Sequence, residues 1–168
     1  PAGNYDVAVF ENRFPTMHVT PEPPPSSLTA TRPGIGICEV VVYTQDASSS
    51  LGALSLDHLG VVLEALADRY RDLGARPEIQ YVMPFENRGV EVGVTLHHPH
   101  GQIYAYPFIP PLAQIELRQQ ADFYQQHGDG LLRSHIEKEL RDGRRILYAA
   151  REAVAFVPSF ARYAYEVW

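Results

Sequence analysis

The chain has 168 residues, of which 45% are hydrophobic and 20% charged, and a net charge of −6. That length fits one domain able to bury roughly two-thirds or more of its unfolded surface. The acidic balance excludes a general nucleic-acid binder, which would gather phosphates on a basic face, but leaves room for a nucleotide held by local N–H groups.

Tyr5 to Phe14 alternates in the manner of a strand, with Val7 and Val9 on one face. Pro21 to Ser27 (PEPPPSS) can neither pair in a sheet nor continue a helix, so a loop is predicted. Ile37 to Gln45 is rich in β-branched residues and predicts a well-buried strand. From Ser55 the spacing changes to threes and fours. Leu56, Leu59, Leu63, Leu66, Tyr70 and Leu73 form the apolar stripe of a helix, with Ser55 as its N-cap and Gly74 as its stop. Glu78 to Phe85 and Gly89 to Leu96 read as two strands joined through Glu86-Asn87-Arg88-Gly89, and Gln102 to Tyr106 as a third. Pro110 and Pro111 end that segment. A helix to about Gln126 follows, then Gly128 and Gly130, a second helix over Leu131 to Arg141, and a β-prone region from Arg145 to Val157. This order predicts an α+β domain with an antiparallel sheet flanked by helices, over the whole of 1–168.

The apolar runs are too short to span a bilayer, and the chain opens on Pro1-Ala2-Gly3, which reads as a loop rather than a secretory leader. The one cysteine, Cys38, allows no internal disulfide and no Cys-rich metal cage. Both point to a cytoplasmic protein.

His98-Pro99-His100-Gly101-Gln102 is the segment with the most chemistry. Residues at i and i+2 of an extended segment share a side, so His98, His100 and Gln102 can face one pocket. Pro99 stiffens the backbone between the histidines, and Gly101 lets a phosphate approach closely. A neutral imidazole is a competent nucleophile near pH 7, and an amide can hold phosphoryl oxygens. On the residues alone, a histidine-rich turn or an adventitious metal site explains the cluster equally well. His18, His58, His97, His127 and His135 read as structural or solvated.

The sequence resembles the galactose-1-phosphate uridylyltransferase family, a branch of the histidine-triad superfamily. The likeness is carried by Phe85-Glu86-Asn87-Arg88-Gly89, by Gly93, and above all by His98-Pro99-His100-Gly101-Gln102-Ile103-Tyr104-Ala105. Upstream, Val9-Phe10-Glu11-Asn12-Arg13-Phe14-Pro15 is similar to the family's nucleotide-contacting strand, and Phe156-Val157-Pro158 to the strand closing its first half. The resemblance implies a histidine-triad-like fold and UMP transfer from UDP-glucose to galactose 1-phosphate. His100 would be the nucleophile that carries UMP, and Gln102 would hold the phosphoryl oxygens where histidine-triad hydrolases have a third histidine. Asn87 and Thr95 would contact the phosphates, Phe10, Asn12 and Val40 would line the uridine pocket, and Gly93 and His98 would also belong to the nucleotide site.

Departures from the family pattern shape the remaining expectations. Thr95 stands where the family commonly has serine, and Leu96-His97 where it has Asn-Pro. The family's structural zinc uses two cysteines with no counterpart here, a histidine aligning near Ala47, and the histidine matching His98. Its iron-type site uses a glutamate matching Glu116 plus histidines from a second half of the protein. Zinc is therefore not expected to bind, and no organic cofactor is implied. The chain is expected to be a fragment, or the ordered part, of a two-half protein, pairing with a second half-domain or a second copy. An ADP-sugar or diadenosine-polyphosphate phosphorylase with the same nucleophile remains open, as does a non-catalytic nucleotide-binding domain. No nucleic-acid or membrane partner is expected.

Overall fold

The computed structural model describes residues 3–94 and 96–168. Its contacts group into two compact units, one running to Pro110 and the other covering Pro111–Trp168. The predicted α+β fold with an antiparallel sheet is what the chain forms.

In the first unit, among the described residues, β1 (Ala8–Glu11), β2 (Ile37–Val42), β3 (Tyr81–Phe85) and β4 (His100–Tyr106) make a four-stranded antiparallel sheet in the order β1-β2-β4-β3. β1 is shorter than the alternation predicts. The Asn12 N–H still donates to the Cys38 carbonyl at 2.8 Å, but its side chain accepts the Phe14 N–H at 2.9 Å, which turns the chain out of the ladder beyond Asn12. β2 likewise ends at Val42, short of the predicted Gln45, and the Tyr43 N–H continues the pairing by donating to the Pro99 carbonyl at 3.0 Å.

α1 (Leu56–Gly74) begins at the predicted cap, with Ser55 Oγ accepting the His58 N–H at 3.2 Å. Its inward face keeps only part of the predicted stripe. Leu56, Leu63 and Tyr70 are exposed, whereas Val62 and Leu73 are buried and Leu66 packs against the core. Arg69 also reaches from this helix to the sheet. Its Nε and Nη2 donate to the two oxygens of Glu39 on β2 at 2.9 and 2.6 Å, so an ion pair joins helix to sheet among aliphatic neighbours. Around that pair, Val41, Val62, Leu73, Ile79, Val82, Ile103 and Ala105 make the core. Each fully buried aliphatic side chain there contributes about 1.5–3 kcal/mol.

Gly89–Leu96, expected to be a strand, is not one among its described residues. Val90–Val92 make a single tight helical turn, and Gly93 follows at φ 80°, a left-handed conformation that breaks strand geometry. The Val94 N–H donates back to the Gly89 carbonyl at 3.3 Å, closing the loop on itself.

In the second unit, α2 (Pro111–His127) opens on a proline at its first turn, as predicted, and Gly128 and Gly130 separate it from α3 (Leu131–Asp142). The β-prone end forms a hairpin of its own, β5 (Ile146–Ala149) with β6 (Val154–Phe156). Glu139 of α3 is 2% exposed, and its carboxylate accepts from Arg145 Nε at 2.8 Å. Among the described residues no helix is long and apolar enough to cross a membrane.

The Glu39–Arg69 pair yields a stability prediction. Glu39→Ala removes two charge-assisted hydrogen bonds but leaves Arg69 its second partner, Asp72 at 2.9 Å, so it is expected to destabilise the fold by about 1–2 kcal/mol in urea unfolding. Leu63→Ala, on the exposed face that the stripe wrongly turned inward, should cost well under about 1 kcal/mol.

Candidate functional site

β4 lies between β2 and β3, and its two faces do different work. Gly101, Ile103 and Ala105 are buried toward α1, while His100, Gln102, Tyr104 and Tyr106 are half-buried on the opposite face. Cross-strand partners of an antiparallel sheet share a face. Gln102 pairs with Val40 and with Phe85, and Val40 pairs in turn with Phe10. Four side chains thus form a row across the sheet with Gln102 in it. Next to that row, an aromatic ladder of Phe85, Tyr104, Tyr106 and Phe108 packs edge-on or tilted, at centroid separations of 5.0, 6.1 and 5.4 Å. These contacts tie β3 to β4 and hold that end of the site face in place.

The backbone sets the protonation pattern of the site histidines. His100 Nδ1 lies 2.7 Å from the His98 carbonyl. A carbonyl only accepts, so Nδ1 carries the proton, and in the neutral ring the Nε2 lone pair is left free. His98 Nε2 donates in the same way to the Thr44 carbonyl at 2.6 Å, and His58 Nε2 on α1 to the Tyr43 carbonyl at 2.7 Å.

Gln102 is oriented by a chain of amides. Because Asn12 Oδ1 accepts the Phe14 N–H, Asn12 Nδ2 is the end that turns to the sheet, where it donates to Gln102 Oε1 at 3.3 Å. The Gln102 NH₂ is then the end left to donate to an anion. Asn12, expected beside uridine, also lies in direct contact with the residue expected to hold phosphate.

The structure brings most of the predicted residues together. Asn87, Gly93, His100 and Gln102 line one cavity of about 210 Å³. Asn87, His98 and His100 line a neighbouring one of about 410 Å³, whose rim also carries Ser48, Ser50 and Arg88. Phe10 and Val40 stand in the row with Gln102. Thr95 lies outside the described residues. Glu116 sits on α2 in the second unit, beside a mostly apolar cavity of about 470 Å³ lined by His135, Phe160 and Trp168. Sequence reading missed Arg88, a cation at the rim, and Tyr43 and Thr44, which only the fold places behind the histidines.

The candidate metal donors of this unit are engaged otherwise or stand apart. His98 Nε2 is committed to a backbone carbonyl, Cys38 is buried with its sulfur 3.7 Å from Thr16 Oγ1, and no cluster of three or more potential ligands occurs among the described residues.

Tyr43 sets how close the strands come. It is 4% exposed, and its hydroxyl lies against the α-carbon of Gly101. A Cβ on Gly101 would overlap that hydroxyl, reach within 2.9 Å of the ring carbon bearing it, and lie 3.0 Å from the Phe85 carbonyl. Burial, then the charge of Glu86, pushes the Tyr43 phenol up to about 12, so it stays neutral at any working pH. Gly101→Ala is therefore expected to destabilise the domain by about 1–3 kcal/mol and to displace His100. Adding Tyr43→Phe, which removes the overlapping hydroxyl but keeps the buried ring, should restore part of the loss, and thermal melting of the single and double variants measures it.

Known proteins resemble this chain in sequence and in fold. The family described as galactose-1-phosphate uridyl transferase, N-terminal domain, matches residues 2–110. The galactose-1-phosphate uridylyltransferase of Thermotoga maritima is 37% identical over 97% of this chain and 52% of its own length. That of Streptomyces lividans is 40% identical over 97% of this chain and 42% of its own. A solved uridylyltransferase structure superposes with a TM-score of 0.90 at 34% identity, covering 98% of this chain and 53% of that one. The chain thus spans about half the length of the curated relatives it matches. On this match of sequence and fold, the chain belongs to the galactose-1-phosphate uridylyltransferase family.

Proposed function

We propose that the chain transfers a uridylyl group through a covalent bond to His100, moving UMP from UDP-glucose to galactose 1-phosphate. The observation that carries the reading is the 2.7 Å contact from His100 Nδ1 to the His98 carbonyl. It holds the ring in the tautomer whose Nε2 can attack, and it stays in place as positive charge develops on the imidazole. Nε2 attacks the α-phosphorus, an Nε2–P bond forms, and the bond from that phosphorus to the oxygen of glucose 1-phosphate breaks. A phosphate oxygen of galactose 1-phosphate then attacks the same phosphorus, the Nε2–P bond breaks, and UDP-galactose leaves. Sugar phosphates leave without much acid help, so positioning and donors aimed at the nonbridging oxygens do most of the work.

Gln102 supplies such a donor, with its NH₂ turned to the cavity by Asn12. As an amide it offers no proton to exchange, which disfavours activation of water in place of the sugar phosphate. Asn87 and the Gly93 loop are proposed to contact the phosphates, with Phe10, Asn12 and Val40 beside the base. The sugar pocket is proposed to be completed by a second half-domain or a second copy, in keeping with the length of the relatives.

Mass spectrometry after mixing with UDP-glucose should show a UMP-sized gain on His100 and none in His100→Ala. A gain on His98 would overturn the assignment, an AMP-sized gain formed only from ADP-glucose would indicate an adenylyl donor, and binding without mass gain would indicate a non-catalytic nucleotide domain.

Gln102→His should shift the products from UDP-galactose toward free UMP, since a general acid–base group is worth about 10²–10⁴-fold where an amide gives none. Gln102→Ala should lose about 10²–10³-fold in the rate of adduct formation, the usual loss of one oxyanion donor. An unchanged product ratio in an active Gln102→His variant would show that Gln102 does not protect the intermediate from water.

A further inference from the structure

The end of β2 carries a feature that the transfer chemistry does not itself require. The register that pairs Val42 with His100 puts Tyr43 opposite Pro99 and Thr44 opposite His98. In a regular antiparallel ladder such a pair exchanges two backbone hydrogen bonds. Here the Tyr43 N–H donates to the Pro99 carbonyl at 3.0 Å, but proline has no N–H to return. The Tyr43 carbonyl is served instead by His58 Nε2 at 2.7 Å, from the capped first turn of α1. The next carbonyl, Thr44, is served by His98 Nε2 at 2.6 Å.

We propose that His58 and His98 are positioning residues that clamp the Tyr43-Thr44 backbone and thereby fix the nucleophile segment by hydrogen bonds alone, without a structural metal. The route is continuous. α1 holds His58, His58 holds Tyr43, Tyr43 and Thr44 hold Pro99 and His98, and the His98 carbonyl accepts the His100 Nδ1–H at 2.7 Å. The Tyr43 ring closes the other side by resting on Gly101. A tight turn braces the far end, where Thr44 Oγ1 accepts the Asp46 N–H at 3.2 Å and the Asp46 carboxylate accepts the Ser48 N–H and hydroxyl at 2.9 and 2.6 Å. A buried carbonyl without a donor is unfavourable, so both imidazoles are held in the donating tautomer. With its Nε2 on a carbonyl, His98 is not free to ligate a metal through that atom.

The inference rests on the uridylyl-transfer reading for its kinetic readout, and the test separates the two. A glutamine Nε2 reaches about as far along the side chain as a histidine Nε2, so His58→Gln and His98→Gln keep the donor while His58→Ala and His98→Ala remove it. The chain is incubated with a chelator, then with added zinc, and melting temperature and the rate of UMP adduct formation from UDP-glucose are measured. The expected result is that neither chelator nor zinc moves the unaltered protein in either readout. Each alanine variant is expected to form the adduct at least tenfold more slowly with the half-saturating UDP-glucose concentration within about twofold, and each glutamine variant to recover most of that rate. Glutamine variants as slow as the alanine variants, or a chelator-induced loss restored by zinc, would overturn the clamp. Absence of any adduct in the unaltered protein would instead refute the transfer reading. The clamp is then decided by melting temperature alone, with glutamine matching the unaltered protein and alanine falling below it.

Discussion

Everything at the site depends on β4 being an interior strand of an antiparallel sheet. A strand has two faces, and this one uses them for opposite purposes. Ile103 and Ala105 lock it into the core under α1, so their neighbours His100 and Gln102 have no choice about which way to point. A slip of one residue would put both into the core and expose Ile103, which makes the register costly to change. The rigidity of the site is thus inherited from hydrophobic burial one residue away.

The polar contacts then refine what burial has placed. Three carbonyls, of Tyr43, Thr44 and His98, decide which nitrogen of three imidazoles carries a proton. One backbone N–H, that of Phe14, decides through Asn12 which end of the Gln102 amide is free. These bonds are individually worth only about 1 kcal/mol in stability. Their value lies in orientation, since a nucleophile and a phosphate donor must both face the same phosphorus within a fraction of an ångström. Pro99 looks at first like a defect in the ladder, yet its missing N–H is what leaves a carbonyl for His58.

Much of this was legible in the sequence, and what was not has identifiable causes. Ser55 announced the start of α1 because a cap is a local bond between residues three apart. The inward face of the same helix was legible only in part: Leu66 and Leu73 point to the core, but Val62 joins them and Arg69 reaches Glu39, 30 residues upstream, a partner that helical spacing does not reveal. Gly89–Leu96 has the β-branched composition of a strand, but Gly93 in a left-handed conformation folds it into a loop beside Asn87. Tyr43 and Thr44 look like ordinary strand residues until pairing sets them opposite Pro99 and His98.

By itself the sequence determined the chemistry available and its local order: two histidines and a glutamine at alternate positions, a proline and a glycine between them, and a family resemblance that the comparisons uphold. Those features are readable because they depend on side-chain type and on backbone periodicity, both properties of a few consecutive residues. Only the tertiary structure decided how that chemistry is armed. Where the His98 ring is anchored, which end of the Gln102 amide donates, and how near Tyr43 stands to Gly101 all depend on partners 54, 90 and 58 residues apart along the chain. No periodicity encodes such pairs, because they arise when the core closes and each buried donor and acceptor must find the partner that packing has brought within reach.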